Sequence, residues 1–199
     1  MYKRNDLSYF FVISEVNFIK DKKVSILLYL WTLAHSNRNL EEDHSYLYNF
    51  FSKNISKYIE LSRQTLSSKI NYMVNKNIYS IVKTEETNIL KIADCSNFNF
   101  VIINRELMNI LLENRCENLC RLMIILIRSA YIQNNINGIR ITQEKLCEYI
   151  GISKTNIQAL NNIINKAVEL NLITIDYYRT ATGYRANKYN INSFYSYNK

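Results

Sequence analysis

The chain has 199 residues, 48% of them apolar, with no proline and only three glycines. That apolar share can fill ordinary packed cores and excludes an unfolded chain, while the scarcity of Pro and Gly favours helices over turn-rich β structure. A formal net charge of +8 and an isoelectric point near 9.2 point to an anionic partner.

The charge is unevenly spread. Residues 1–95 hold 13 Lys/Arg against 10 Asp/Glu, and residues 96–199 hold 12 against 7. The second half is therefore the more basic. The longest apolar runs, 26–33 and 122–127, are too short to span a bilayer, so no membrane partner is expected. The first apolar stretch follows Lys3, Arg4 and Asp6 and lacks a small-residue cleavage pattern. Four cysteines without such a segment indicate a reducing, cytoplasmic location. The abundance of Ile, Asn, Lys and Tyr is that of an AT-rich gene, so raw Asn and Tyr counts carry no functional weight.

In chain order, 9–13 reads as an extended apolar piece, followed by Ser14-Glu15-Val16 and a helix over 24–36 that is apolar on most faces. An insertion around 40–52 carries the acidic run Glu41-Glu42-Asp43, a solvated loop or a protein-docking site. Then comes Tyr58-Ile59-Glu60-Leu61-Ser62-Arg63-Gln64-Thr65-Leu66, an apolar helix end, a tight turn and a Ser able to cap a second helix. Leu66, Ile70 and Met73 give that helix its inner face. Strand-like pieces at 78–82 and 90–93 flank a polar stretch at 83–88.

The second half repeats this order. An extended piece at 98–103 precedes Asn104-Arg105-Glu106-Leu107 and an apolar helix over 119–133. The chain then passes through Ile139-Arg140-Ile141 to Thr142, which can cap a helix over 143–150. Tyr149-Ile150-Gly151-Ile152-Ser153-Lys154-Thr155-Asn156-Ile157 matches the earlier turn motif 91 positions on, with Ser153 as the cap. Ile157, Leu160, Ile164 and Ala167 share one helix face. Strands at 172–177 and 187–191 enclose a polar stretch at 179–184, in which Gly183 suits a positive φ.

A helix-turn-helix followed by a hairpin is the order of a winged helix. The expected fold class is therefore mostly α with small β-hairpins (α+β), in two tandem winged helix-turn-helix domains at 1–95 and 96–199. With these motifs the chain resembles the tandem winged-helix replication initiators of bacterial plasmids and phage-like elements. Its single unit also looks like the amino-terminal domains of DnaD-type proteins. The resemblance implies binding of double-stranded DNA at a replication origin, a homodimer through the N-terminal domain, and contact with host replication proteins. A winged-helix transcriptional regulator, a plasmid partition (centromere-binding) adaptor and a protein-interaction scaffold are the rival readings on the same fold.

The second helix of each motif supplies the DNA-reading candidates. In the second copy these are Lys154, Thr155, Asn156 and Gln158 in the first turns, with Asn162 and Lys166 along the same face. In the first copy they are Arg63, Gln64, Ser67 and Lys69. Asn and Gln can pair bidentately with adenine and Arg with guanine, and a helix N-terminus favours phosphate. The second wing adds Arg179, Tyr184, Arg185 and Lys188, suited to backbone or minor-groove contact. The first wing holds Lys83, Glu85 and Glu86, so the second head is expected to bind more strongly.

Catalytic signals are lacking. The glycines Gly138, Gly151 and Gly183 form no phosphate-binding loop, and His35 and His44 form no paired-histidine metal motif. Cys116 and Cys120 stand at i, i+4, half of a zinc site at most. Neither enzyme activity, nor a cofactor, nor a metal is expected.

Overall fold

The computed structural model describes residues 9–38, 46–49, 54–85, 88–181, 183 and 185–192. The first half runs β1 (Tyr9–Ile13), α1 (Val16–Lys20), α2 (Ile26–His35), β2 (Asn37–Arg38), β3 (Tyr46–Asn49), α3 (Asn54–Ile59), α4 (Arg63–Asn75), β4 (Tyr79–Lys83) and β5 (Asn88–Ile92). The second half runs β6 (Phe100–Asn104), α5 (Arg105–Glu113), α6 (Glu117–Gln133), β7 (Asn137–Arg140), α7 (Gln143–Ile150), α8 (Ile157–Glu169), β8 (Ile173–Arg179) and β9 (Arg185–Ile191). The fold is mixed α/β, with several helices and small antiparallel hairpins. Part of the insertion expected at 40–52 is strand β3; the acidic run at 41–43 lies outside the described residues.

Local chemistry sets the helix boundaries. Asn104 starts α5 by accepting the Leu107 amide at 2.9 Å, and Thr142 starts α7 by accepting that of Lys145 at 3.2 Å. Ser62 caps α4 through the Thr65 amide, as the sequence indicates. The second copy departs from expectation. Ser153 does not begin a helix: its hydroxyl accepts the Thr155 amide inside a turn, and α8 starts at Ile157 with Asn156 capping the Ala159 amide at 3.1 Å. A turn of Ser153 to Asn156, closed by an amide-to-carbonyl bond of 2.9 Å, stands where a first helical turn was expected. Lys154 and Thr155 therefore precede α8.

Two sheets repeat one topology. The second-half sheet has the order β7-β9-β8, and the first-half sheet β2-β3-β5-β4 contains the same arrangement with β2 added. A third ladder joins the halves: β1 pairs antiparallel with β6, setting Phe10 against Ile103 and Val12 against Val101. The buried core continues across position 95 without a break. Its centre is α6, buried around its whole circumference from Leu119 to Ile127, with α2 beside it. Each large apolar side chain buried there contributes roughly 1.5–3 kcal/mol.

A charged tie crosses the same junction. Glu117, the first residue of α6, accepts from the Ser25 hydroxyl at 2.5 Å and from the Ile26 amide at 2.9 Å, so it caps α2 from outside. One turn along, Arg121 is buried and donates through Nη2 to the Val24 carbonyl at 2.7 Å, with Glu117 Oε2 at 3.7 Å. Its Nε and Nη1 are buried without a hydrogen-bond partner among the described residues. Burial lowers the Arg121 pKa, which Glu117 partly offsets, and the Lys22 side chain, exposed as a whole, is partly desolvated where it meets Arg121, which brings it down to about 8.

Arg121 is buried while Glu117 is half-buried, so loss of the carboxylate removes the nearest counter-charge of a buried cation and the cap of α2. Glu117→Ala is expected to lower stability by about 2 kcal/mol in chemical denaturation. Adding Arg121→Met to that variant should recover part of the loss, and a double variant less stable than the single would contradict the pairing.

Candidate nucleic-acid interface

The helix α7, its turn and α8 are held in fixed relation by polar and apolar contacts. Gly151 ends α7 at φ +71°, the left-handed conformation that reverses a helix most easily in glycine. Gln143 on α7 donates to Asn161 Oδ1 on α8 at 2.8 Å. Leu160, Ile163, Ile164 and Ala167 are buried, which turns Gln158, Asn162 and Asn165 outward. Ile163 therefore joins the expected core face, while Ile157 is only half-buried.

On the outer face Gln158 donates through Nε2 to Asn162 Oδ1 at 3.0 Å. The pair then has an acceptor, Gln158 Oε1, and a donor, Asn162 Nδ2, left to offer. That combination matches the N6 donor and N7 acceptor of adenine in a major groove. Lys166 lies on the same stripe but is half-buried. The amide oxygen of Asn156 is occupied by its capping bond.

Lys154 is not a free cation. Its ammonium stands 3.0 Å from Glu144 Oε1 and 4.0 Å from Glu148 Oε2, and the bond to Glu144 holds its pKa up. Glu148 also accepts from Lys145, which holds its carboxyl below the usual range. All four groups are exposed, so the network is weak and yields to a competing anion. Thr155 is exposed, its hydroxyl 2.8 Å from that of Ser153.

In the first half, Arg63 opens α4 directly after the Ser62 cap, with Gln64 beside it and Ser67 one turn on, both exposed. Arg63 and Ser67 are four apart and share a face. Lys69 is half-buried and lies about 200° round the helix from Ser67, across the buried stripe, so α4 does not bring it onto that face. Leu66, Ile70 and Met73 are buried as expected.

The second hairpin pairs Arg179 with Arg185 in the β8–β9 register, the last pair before the connection. Arg179 is exposed, Gly183 in the connection has φ +83°, and Tyr184 lies outside the described residues. Lys188 faces Asp176 on one side and Arg140 on the other. Its chain lies across Gly138 at a β-bulge, where any Cβ would collide with Lys188 Cε. Arg140, which the sequence did not single out, stacks over Tyr178 at 4.9 Å from the ring centroid. In the first hairpin Lys83 and Glu85 are exposed, as are Ile81 and Val82; Glu86 lies outside the described residues.

Cys95, Cys120 and Cys147 are buried thiols and Cys116 is half-buried. Among the described residues no three His, Cys, Asp or Glu side chains gather as a metal site, and no helix is long and apolar enough to cross a membrane.

The position of the α8 cap is directly testable. Asn156→Ala is expected to cost about 1 kcal/mol in thermal or chemical unfolding, and Ser153→Ala a few tenths. The reverse order would move the helix start back to 154.

Comparisons with protein-family models, with curated proteins and with solved structures find no match to this chain.

Proposed function

We propose that the chain is a double-stranded DNA-binding protein of two winged helix-turn-helix units, and that it marks a replication origin of a plasmid or phage-like element. The observation that carries this reading is the run α7, turn, α8 and hairpin, closed into a sheet of order β7-β9-β8 and repeated as α3, α4 and the β3-β5-β4 sheet. In such a unit the second helix enters the major groove and the hairpin follows the backbone. Exposed Gln158 and Asn162 on α8, and Arg63 and Gln64 on α4, are chemically suited to base edges. Arg179 and Arg185 are suited to phosphates.

The second unit is the stronger binder in this reading. Its hairpin end carries two arginines, whereas that of the first carries Lys83 with Glu85. The assignment to an origin rests on the resemblance described above, with the chain acting as initiator and recruiting host replication proteins. Footprinting across the element that encodes the chain tests it: protected direct repeats support an origin, and a single protected promoter operator supports a regulator instead.

Two substitutions separate positioning from reading. Arg179→Ala with Arg185→Ala should weaken binding to every duplex and reduce the slope of log K against log salt by about 0.9 per lost phosphate contact. An unchanged slope would take the second hairpin out of the interface. Arg63→Ala should relax specificity at one base pair by about 1–3 kcal/mol. Equal losses on specific and random duplexes would contradict a base contact.

A further inference from the structure

The turn between α1 and α2 reads Lys20-Asp21-Lys22-Lys23, with all three lysines exposed. Both halves brace it. On one side it packs against Gly151, the cap of α7: a Cβ there would collide with the Lys20 carbonyl and stand 3.1 Å from Lys22 Cε. On the other side Tyr72 of α4 donates its hydroxyl to Asp21 Oδ2 at 2.6 Å. The Lys23 and Lys76 ammonium groups lie 5.8 and 5.6 Å from the Tyr72 ring. Lys22 Nζ donates to Asn118 Oδ1 on α6 at 2.6 Å.

These contacts make one surface. It runs from Lys76 at the end of α4, over the 20–23 turn, to Lys145 and Lys154 beside the α7–α8 turn. Its acidic members are already engaged. Asp21 accepts from Tyr72 and from the Lys23 amide, which lowers its pKa against the effect of burial. Glu148 and Glu144 are held by Lys145 and Lys154, and Glu148 also feels the charge of Lys20. Six lysines thus face three carboxylates along the strip, a net positive surface that neither helix-turn-helix supplies alone.

We propose that the 20–23 turn is a phosphate-binding strip for the DNA backbone, given by the first half of the chain to the second reading head. The inference rests on the reading of α8 as the groove-entering helix. With α8 so seated, the turn before it runs along the groove edge beside the phosphates, and whatever packs on Gly151 is carried to the same edge. Bracing by Tyr72, Asn118 and the α7 cap fixes the loop before binding, so less ordering entropy opposes the contact. Lysine ammonium groups bind phosphate as point charges and read no sequence.

The test uses the full chain and a random-sequence duplex, titrated at several salt concentrations. Variants are Lys20→Gln with Lys22→Gln and Lys23→Gln, Lys23→Gln alone, and the Arg179/Arg185 pair as reference. The triple variant should lower the salt slope by about 0.9 for each lysine that touches a phosphate, and Lys23→Gln alone by about 0.9. Should the triple variant fail to fold, Lys23→Gln decides the matter, since its ammonium stands over an aromatic ring rather than in a hydrogen-bonded tie. A wild-type slope in these variants, together with a reduced slope in the arginine pair, overturns the strip and leaves the DNA-binding reading standing. No binding by the wild-type chain even at low salt overturns both.

Discussion

The junction between the two halves turns on one carboxylate. Glu117 begins α6, yet its oxygens accept from Ser25 and from the first amides of α2, a helix that starts 91 residues earlier. A helix N-terminus presents unsatisfied amides and a positive dipole end, so an anion there is stabilising. Because the same carboxylate lies near the buried guanidinium of Arg121, it fixes the start of α2 against the first turn of α6. The two apolar helices that fill the core are thereby set in register. Helix α8 packs directly on α6 and so takes its position from it.

The asymmetry of the two halves follows from what each attaches to this shared centre. Both carry a helix, a turn, a helix and a hairpin. Among the described residues only the first has the added strand β2, and only the second has a left-handed glycine at the helix turn and arginines at the hairpin end. Glycine at 151 does more than end α7. Its lack of a Cβ lets the chain of the first half approach within contact distance, and the lysine-bearing turn comes with it. Close packing at one backbone position thus brings lysine charge from one half beside the α7–α8 turn of the other.

Much of the order of elements was legible in the sequence because it depends on local causes. The apolar helices expected at 24–36 and 119–133 and found at 26–35 and 117–133, the caps at Ser62 and Thr142, and the hairpin strands all declare themselves by period or by capping residue. Ser153 misled because Ser, Lys and Thr suit a helix start and a turn equally well. Asn156, three residues on, caps the helix instead. The neutralisation of Lys154 by Glu144 was hidden, since it joins residues ten apart across a turn whose path the sequence does not state. The β1–β6 ladder and the Arg121 tie were hidden for the same reason at longer range. Arg121 lies four residues after Glu117, a spacing common on exposed helix faces, and nothing in that pattern says that Arg121 is buried.

The β1–β6 ladder has a consequence for how the chain is made. Strand β1 ends at Ile13 and its ladder partner begins at Phe100, so the loop that must close is long. Closing such a loop costs entropy before any hydrogen bond is gained, and long-range pairing of this kind slows folding. During synthesis β1 emerges with its backbone groups and its Phe10 and Val12 side chains unsatisfied until β6 follows. A nascent chain in that interval carries an open apolar strand edge, the feature most prone to pairing with another chain. Pairing of β1 therefore waits for translation of the second half, and truncation before Phe100 leaves β1 without its ladder partner.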